Sequence, residues 1–294
     1  MNRKNIRTFR AFVRFFALIL IISTLFVSCT EQSSSKNDFP DFDPDAVGGK
    51  VDDNPTKKPS NSTNKKPNTS NNNNNNTTTK PNTSGKKRVA ITYDDGPHNV
   101  QTINITDELA KYGFHATFFV VGNRIDGKSY NGAKGLKYAA SKGNEIAIHG
   151  YTHKQDRAHY YDTADEETYQ SELGDTKKAI LSQLPNTKIK LMRPIGGRIS
   201  EERIYECDYS VIMWSVDSLD WKYKNDGAAG VEAIVDNVMS QVKDGSIVLM
   251  HDLYENTYLA TKEILKQLSA QGYEVVTVSE LLGNPHAGVK YSKA

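Results

Sequence analysis

From Val89 onward, short apolar runs rich in β-branched and aromatic residues alternate with stretches where apolar residues recur every three or four positions. Such alternation is what βαβ units produce, because a strand buried on both faces reads as a continuous apolar run while a covering helix shows one stripe. Strands are predicted at Val89 to Tyr93, Ala116 to Val121, Glu145 to Ile148, Ile189 to Met192, Val211 to Val216, Ser246 to Met250 and Glu274 to Val278. Helical stripes are predicted through Val231, Ile234, Val235, Val238 and Val242, and through Leu259, Ile264, Leu265 and Leu268. The acidic stretch Asp162 to Glu167 reads as the solvated start of a further helix, and Cys207 as a small buried apolar residue. About seven parallel strands suit an α/β fold, either a barrel or an open doubly wound sheet, and both place functional groups at the carboxyl ends of the strands.

The segment before Val89 has no such pattern. Arg3, Lys4, Arg7, Arg10 and Arg14 precede an apolar run from Phe15 to Val27, followed by Ser28 and Cys29. A charged start and an apolar run too short for an ordinary bilayer span define a secretory signal, so residues 1–28 are expected to be cleaved. A permanent transmembrane anchor is the weaker alternative. Leu25-Phe26-Val27-Ser28-Cys29 resembles the lipobox of bacterial lipoproteins, with Phe26 in place of the usual Leu. That resemblance implies lipidation of Cys29, and hence an exported protein tethered to the outer face of the cytoplasmic membrane. Residues 29–88 are Asn-, Thr-, Lys- and Pro-rich with almost no large apolar side chains, so they are expected to be a disordered linker.

The chain of 294 residues carries a formal net charge of +2, but its basic residues collect at the front. Residues 89–294 hold 22 Lys and Arg against 28 Asp and Glu, which leaves the globular part at −6. An acidic domain with no basic run lacks the footprint of a nucleic-acid binder. Two cysteines in the whole chain exclude a disulfide framework or a Cys-rich zinc site. A monomer is the expected state.

Ionisable residues gather at the predicted strand ends: Asp94-Asp95-Gly96-Pro97, His149-Gly150-Tyr151-Thr152-His153, Arg193-Pro194, Asp217-Ser218-Leu219-Asp220-Trp221 and His251-Asp252. Groups of this kind at the end of a buried parallel sheet are costly unless paired, hydrated or bound to metal. His149 and His153 are four apart, a spacing that on a helical turn puts both imidazoles on one side. With a carboxylate from Asp94 or Asp95 they form a two-His, one-carboxylate set, the ligand count of a catalytic divalent-metal site. The neighbouring Asp then stands next to the water and can act as general base, and Arg193 can orient it. His251 is placed to protonate a leaving group, with Asp217 holding its far ring nitrogen. His98, His115, His159 and His286 sit in no such pattern and are read as non-ligands, His98 being the one nearest the rim.

These five patterns, in this order, resemble those of the polysaccharide deacetylase family, carbohydrate esterase family four. The family's Thr-Phe-Asp-Asp-Gly-Pro is similar to Thr92 to Pro97, with Tyr93 for Phe, and the resemblance implies that Asp94 is the base and Asp95 a metal ligand. Likewise it implies metal ligation by His149 and His153, general acid catalysis by His251 with Asp217 assisting, and a pocket for the acetyl methyl walled by Trp221 and Leu249. The third pattern departs: the family's Arg-Pro-Pro-Tyr-Gly or Arg-Pro-Pro-Phe-Gly is here Arg193-Pro194-Ile195-Gly196-Gly197, so Gly196 offers only its backbone N–H to an oxyanion. The fold implied is a distorted (β/α) barrel. The activity implied is metal-dependent removal of acetyl groups from a polysaccharide, with zinc the default ion and cobalt, nickel or manganese the others that suit imidazole and carboxylate. A tethered enzyme lies next to its own wall, so N-acetylglucosamine of peptidoglycan is the expected substrate, with acetylated xylan or chitin as alternatives. Two rivals come from other classes. One is an inert carbohydrate-binding lipoprotein, which leaves the full set of polar residues unexplained; the other is a non-haem iron oxygenase, which leaves Asp94 and His251 without a use.

Overall fold

The computed structural model describes residues 85–126 and 131–294. The expected signal, Cys29 and nearly all of the expected linker lie outside the described residues. Nine strands are found among the described residues: β1 (Lys87–Asp94), β2 (Thr117–Val121), β3 (Glu145–Gly150), β4 (Leu191–Met192), β5 (Ser210–Ile212), β6 (Val216–Asp217), β7 (Ile247–His251), β8 (Tyr273–Val275) and β9 (Lys290–Tyr291). Seven helices accompany them: α1 (Gln101–Lys111), α2 (Ala133–Ser141), α3 (Glu166–Gln183), α4 (Glu201–Glu206), α5 (Gly227–Met239), α6 (Glu255–Ala270) and α7 (Val278–Leu282). No described helix is long and apolar enough to cross a membrane.

The strands run parallel in the order β6-β7-β1-β2-β3-β4-β5-β9, with β8 added beside β1. This is a distorted (β/α) barrel, and its wall is open between the end strands β6 and β9, so that β5 and β6, consecutive in sequence, do not pair. The predicted strand Val211 to Val216 is thereby broken in two, because Met213, Trp214 and Ser215 leave one side of the sheet and rejoin it on the other. Pleating sends alternate residues to opposite faces. Val89, Ile91 and Tyr93 of β1 face outward into the larger apolar cluster with Ile105 and Leu109 of α1 and Ile264 and Leu265 of α6. Ala90, Phe119, Ala147, Leu191, Ile212 and Ile247 face inward, and Val278 and Leu281 of α7 close the floor beneath them.

Several boundaries differ from the sequence expectation. Lys87 and Arg88, assigned to the linker, are strand residues, since their backbone pairs with Tyr273 and Glu274 of β8. Val278 ends no strand; Thr277 caps α7 with a reciprocal Thr277/Glu280 capping box, which turns the chain into a helix there. Leu259 lies off the buried face of α6, 36% exposed, and Ala260 and Thr261 take the place assigned to it. Asp165, inside the predicted helix start, caps α3 by accepting from the Thr168 N–H. Cys207 is buried in the larger cluster.

Candidate active site

At the upper end of β1 the inward positions become polar: Thr92 and then Asp94 follow Ala90 on the same face. Asp94 is level with His251 of β7 across one strand pairing and with Phe119 of β2 across the other. Arg193 follows β4 and is completely buried. Its Nε donates to the Ile212 carbonyl, Nη2 to the Met213 carbonyl, and Nη1 both to Thr92 Oγ1 at 2.8 Å and to Asp94 Oδ1 at 2.7 Å. The guanidinium also lies 4.2 Å from the Phe119 ring centre. A buried charge needs such a full set of partners, and this set fixes one oxygen of Asp94 while leaving Oδ2 facing the site, 3.8 Å from His149 Nε2.

Asp95 turns the other way, because its backbone is left-handed at φ 72°. Its Oδ1 lies 3.3 Å from His149 Nε2 and 2.8 Å from His153 Nε2. His149 donates its Nδ1 proton to the Arg193 carbonyl at 2.9 Å, which leaves the Nε2 lone pair pointing at Asp95. The three ligand atoms all lie within 4.8 Å of one another. The two histidines were expected to meet on a helical turn. Instead His149 is the penultimate residue of β3, where a register irregularity against β2 occurs, and a tight turn brings back His153 with φ 55°.

A divalent cation fits this cluster. Asp95 Oδ1 is buried and accepts no well-formed hydrogen bond from a described residue, although it faces two imidazole nitrogens. Two neutral Nε2 lone pairs and a carboxylate oxygen repel one another unless a proton or a cation lies among them. Burial opposes charge on Asp95, but when a proton rather than a cation lies among the three groups, the charge it puts on the imidazoles, His153 first and then His149, holds the Asp95 carboxyl well below the usual range.

Across the site, His251 is held by a residue the sequence reading passed over. Its Nδ1–H donates to Asp220 Oδ1 at 2.7 Å, and its backbone N–H to Asp220 Oδ2 at 2.7 Å. Asp220 is fully buried and also accepts from Thr257 Oγ1 and the Trp221 N–H. Asp217, expected in this position, instead accepts from the Leu219 N–H, and burial pushes its carboxyl up. The two acids stand three apart in one pattern, so spacing did not separate them; the turn through Leu219, left-handed at φ 55°, points Asp220 inward. Burial disfavours the charged form of His251, but Asp220, with Asp95 and Asp94 adding to it, lifts its pKa to about 10.

At the rim, Leu249 is buried and Trp221 is 36% exposed. Gly196 has φ 59° in a single 3-10 turn over Ile195–Gly197, and a Cβ placed on it would stand 3.3 Å from the Tyr160 ring. The ring absent from position 196 is thus partly matched by one arriving from the loop before α3. His98 is used locally, its Nδ1 accepting from the Val100 and Gln101 N–H groups at the start of α1. His159 pairs with Asp156, and His115 packs against Gly143.

The sequence profile of the family described as polysaccharide deacetylase matches residues 81–208. PdaC of Bacillus subtilis, a peptidoglycan-N-acetylmuramic acid deacetylase, is 36% identical over 196 residues, 67% of this chain and 39% of that protein. Its solved structure superposes with a TM-score of 0.60 at 35% identity, covering 67% of this chain and 90% of the solved one. A peptidoglycan-N-acetylglucosamine deacetylase of Bacillus cereus is 34% identical over 211 residues, 69% of this chain and 92% of that protein. A family 4 acetyl xylan esterase from Clostridium thermocellum, solved with a cobalt ion, superposes with a TM-score of 0.60 at 28% identity, covering 71% of this chain and 99% of that one. The chain belongs to the polysaccharide deacetylase family. It spans about two fifths of the length of PdaC and of the Listeria monocytogenes deacetylase PgdA.

Proposed function

We propose that this chain is a metal-dependent hydrolase that removes N-acetyl groups from the amino sugars of peptidoglycan, releasing acetate. The observation that carries this reading is the division of two adjacent aspartates between two tasks: Asp95 meets His149 and His153, while Asp94 is braced by Arg193 and faces the same space. A divalent cation held by Asp95, His149 and His153 supplies Lewis-acid activation of water and of the acetyl carbonyl. Asp94 Oδ2 takes the proton of the attacking water, its partner oxygen fixed by Arg193 so that the lone pair points into the site. His251, protonated through its pairing with Asp220, gives the Nε2 proton to the departing amine. The Gly196 N–H is the backbone donor assigned to the developing oxyanion, and Leu249 and Trp221 wall the acetyl methyl.

Zinc is our assignment for the ion, with cobalt, nickel and manganese as ions of similar ligand preference. The likeness to PdaC favours a second reading of the sugar, N-acetylmuramic acid in place of N-acetylglucosamine. We further propose that the protein is exported and held on the outer face of the cytoplasmic membrane through lipidated Cys29, as a monomer, with residues 29–88 as the spacer that lets it reach the wall. Acetate release from peptidoglycan, acetylated xylan and chitin, with and without a chelator, tests the assignment. Mass spectrometry of the glycan products separates the two sugars. Release confined to acetylxylan would refute the peptidoglycan reading, and chelator-insensitive release would refute the metal.

A further inference from the structure

The turn that carries the two histidines is clamped from outside by an acid with no part in the chemistry above. Glu172 lies on the buried face of α3, between Tyr169 and Thr176, and is 3% exposed. Its Oε2 accepts from the Tyr151 N–H at 2.5 Å and the Thr152 N–H at 2.9 Å, and its Oε1 accepts from Thr152 Oγ1. Those two residues lie between His149 and His153, so each donor belongs to the short path joining the two imidazoles. A buried carboxylate is costly unless saturated with donors, and here all three come from this single turn.

The path is one the chain would not choose unaided. Gly150 sits at φ 134°, where an added Cβ would stand 2.7 Å from Tyr161 Oη and 3.1 Å from Glu172 Oε2. His153 adopts φ 55°, a left-handed conformation unfavourable for a residue with a Cβ. Strain of this kind persists only where the surroundings over-determine it. On the other side of the turn the Asn123 N–H donates to the Tyr151 carbonyl at 3.0 Å. We propose that Glu172 is a positioning residue for the cation site: from α3 it fixes the backbone of Tyr151 and Thr152, so that His153 keeps its left-handed turn and its Nε2 stays opposite Asp95. The inference rests on the reading that Asp95, His149 and His153 hold a cation, and it adds the group that sets their spacing.

The test uses the full chain as wild type, Glu172→Ala and Glu172→Gln. Affinity for Zn2+ is measured by competition with a chelating dye, and the visible spectrum of the Co2+ form is recorded. Circular dichroism of the metal-free proteins reports folding. Loss of a group that orients a ligand should weaken binding by roughly 10- to 100-fold in Glu172→Ala and alter the Co2+ bands. Glu172→Gln keeps an acceptor for the two N–H groups but loses the charge, and its affinity should fall between the other two. A folded Glu172→Ala that binds Zn2+ within about twofold of wild type, with unchanged Co2+ bands, would overturn the proposal. Should Glu172→Ala not fold, Glu172→Gln with wild-type affinity would overturn it equally. A wild type that binds neither ion would remove the cation reading itself, and the inference with it.

Discussion

Replacing Asp220 with Asn should move the alkaline limit of activity, and the structure says how far. Asp220 Oδ1 is 2.7 Å from His251 Nδ1, and because Asp220 is fully buried the pair's attraction is poorly screened. His251 stands at about 10 against its ordinary 6.5 although burial alone would lower it. That difference of ~3.5 pKa units is worth about 5 kcal/mol, and Asp220 is its principal source. With Asn the imidazole loses the carboxylate and returns to ~6.5 or lower, so that at pH 8 only about 3% carries the proton. kcat/KM for acetate release at pH 8 should then fall by at least ~30-fold, the deficit growing about tenfold per pH unit until the wild-type limb is reached. A cation on Asp95 offsets part of that residue's contribution, so the wild-type limb belongs below 10. Asp217→Asn is the control, since Asp217 makes its hydrogen bond to Leu219 and none to His251. Full pH profiles of kcat/KM for the three proteins decide the matter. An unmoved alkaline limb in Asp220→Asn, or equal shifts in both variants, would refute the assignment of Asp220 to His251.

Arg193→Met leaves the Asp94 carboxylate buried beside an apolar chain, and loss of one partner of a buried pair costs about 3–5 kcal/mol, so a urea titration should show a large fall in midpoint with unchanged slope. Asp252 is fully buried beneath Gly96, with Thr102 Oγ1 its hydrogen-bond donor, and burial together with Asp95 pushes its pKa up to about 7. A carboxyl raised in the folded state binds its proton more tightly there than in the unfolded chain, so its contribution is greatest below about pH 4 and is lost as pH rises to 7. In chelator-treated protein this group removes at most about 4 kcal/mol across that window, and Asp252→Asn should flatten that part of the stability profile. An unchanged slope between pH 4 and 7 would contradict it.

The sequence made the chemistry-bearing strand ends legible because a fully buried parallel strand tolerates polar residues only where it opens onto a site. Asp94, Asp95, His149, Arg193 and His251 all stand at or just past the end of β1, β3, β4 or β7. What spacing left open was orientation. Asp94 and Asp95 part company because Asp95 is left-handed, and Asp220 replaces Asp217 because Leu219 is left-handed. Neither left-handed residue is a glycine, so neither announced itself. The break between β5 and β6 was equally silent, since Val211 to Val216 has the composition of one strand. Glu172 left a faint trace: with Thr176 it is a polar residue on a face otherwise made by Tyr169, Leu173, Ala179 and Ile180. An acid on a buried helical stripe points to donors arriving from elsewhere, but periodicity does not say from where.

The most direct measurement is an anomalous difference map from crystals of the full chain grown with Co2+, collected at the cobalt edge. One strong peak is expected about 2.0–2.2 Å from Asp95 Oδ1, His149 Nε2 and His153 Nε2, with Asp94 outside bonding distance. A peak bound through Asp94, a peak away from this trio, or no peak in cobalt-saturated crystals would contradict it.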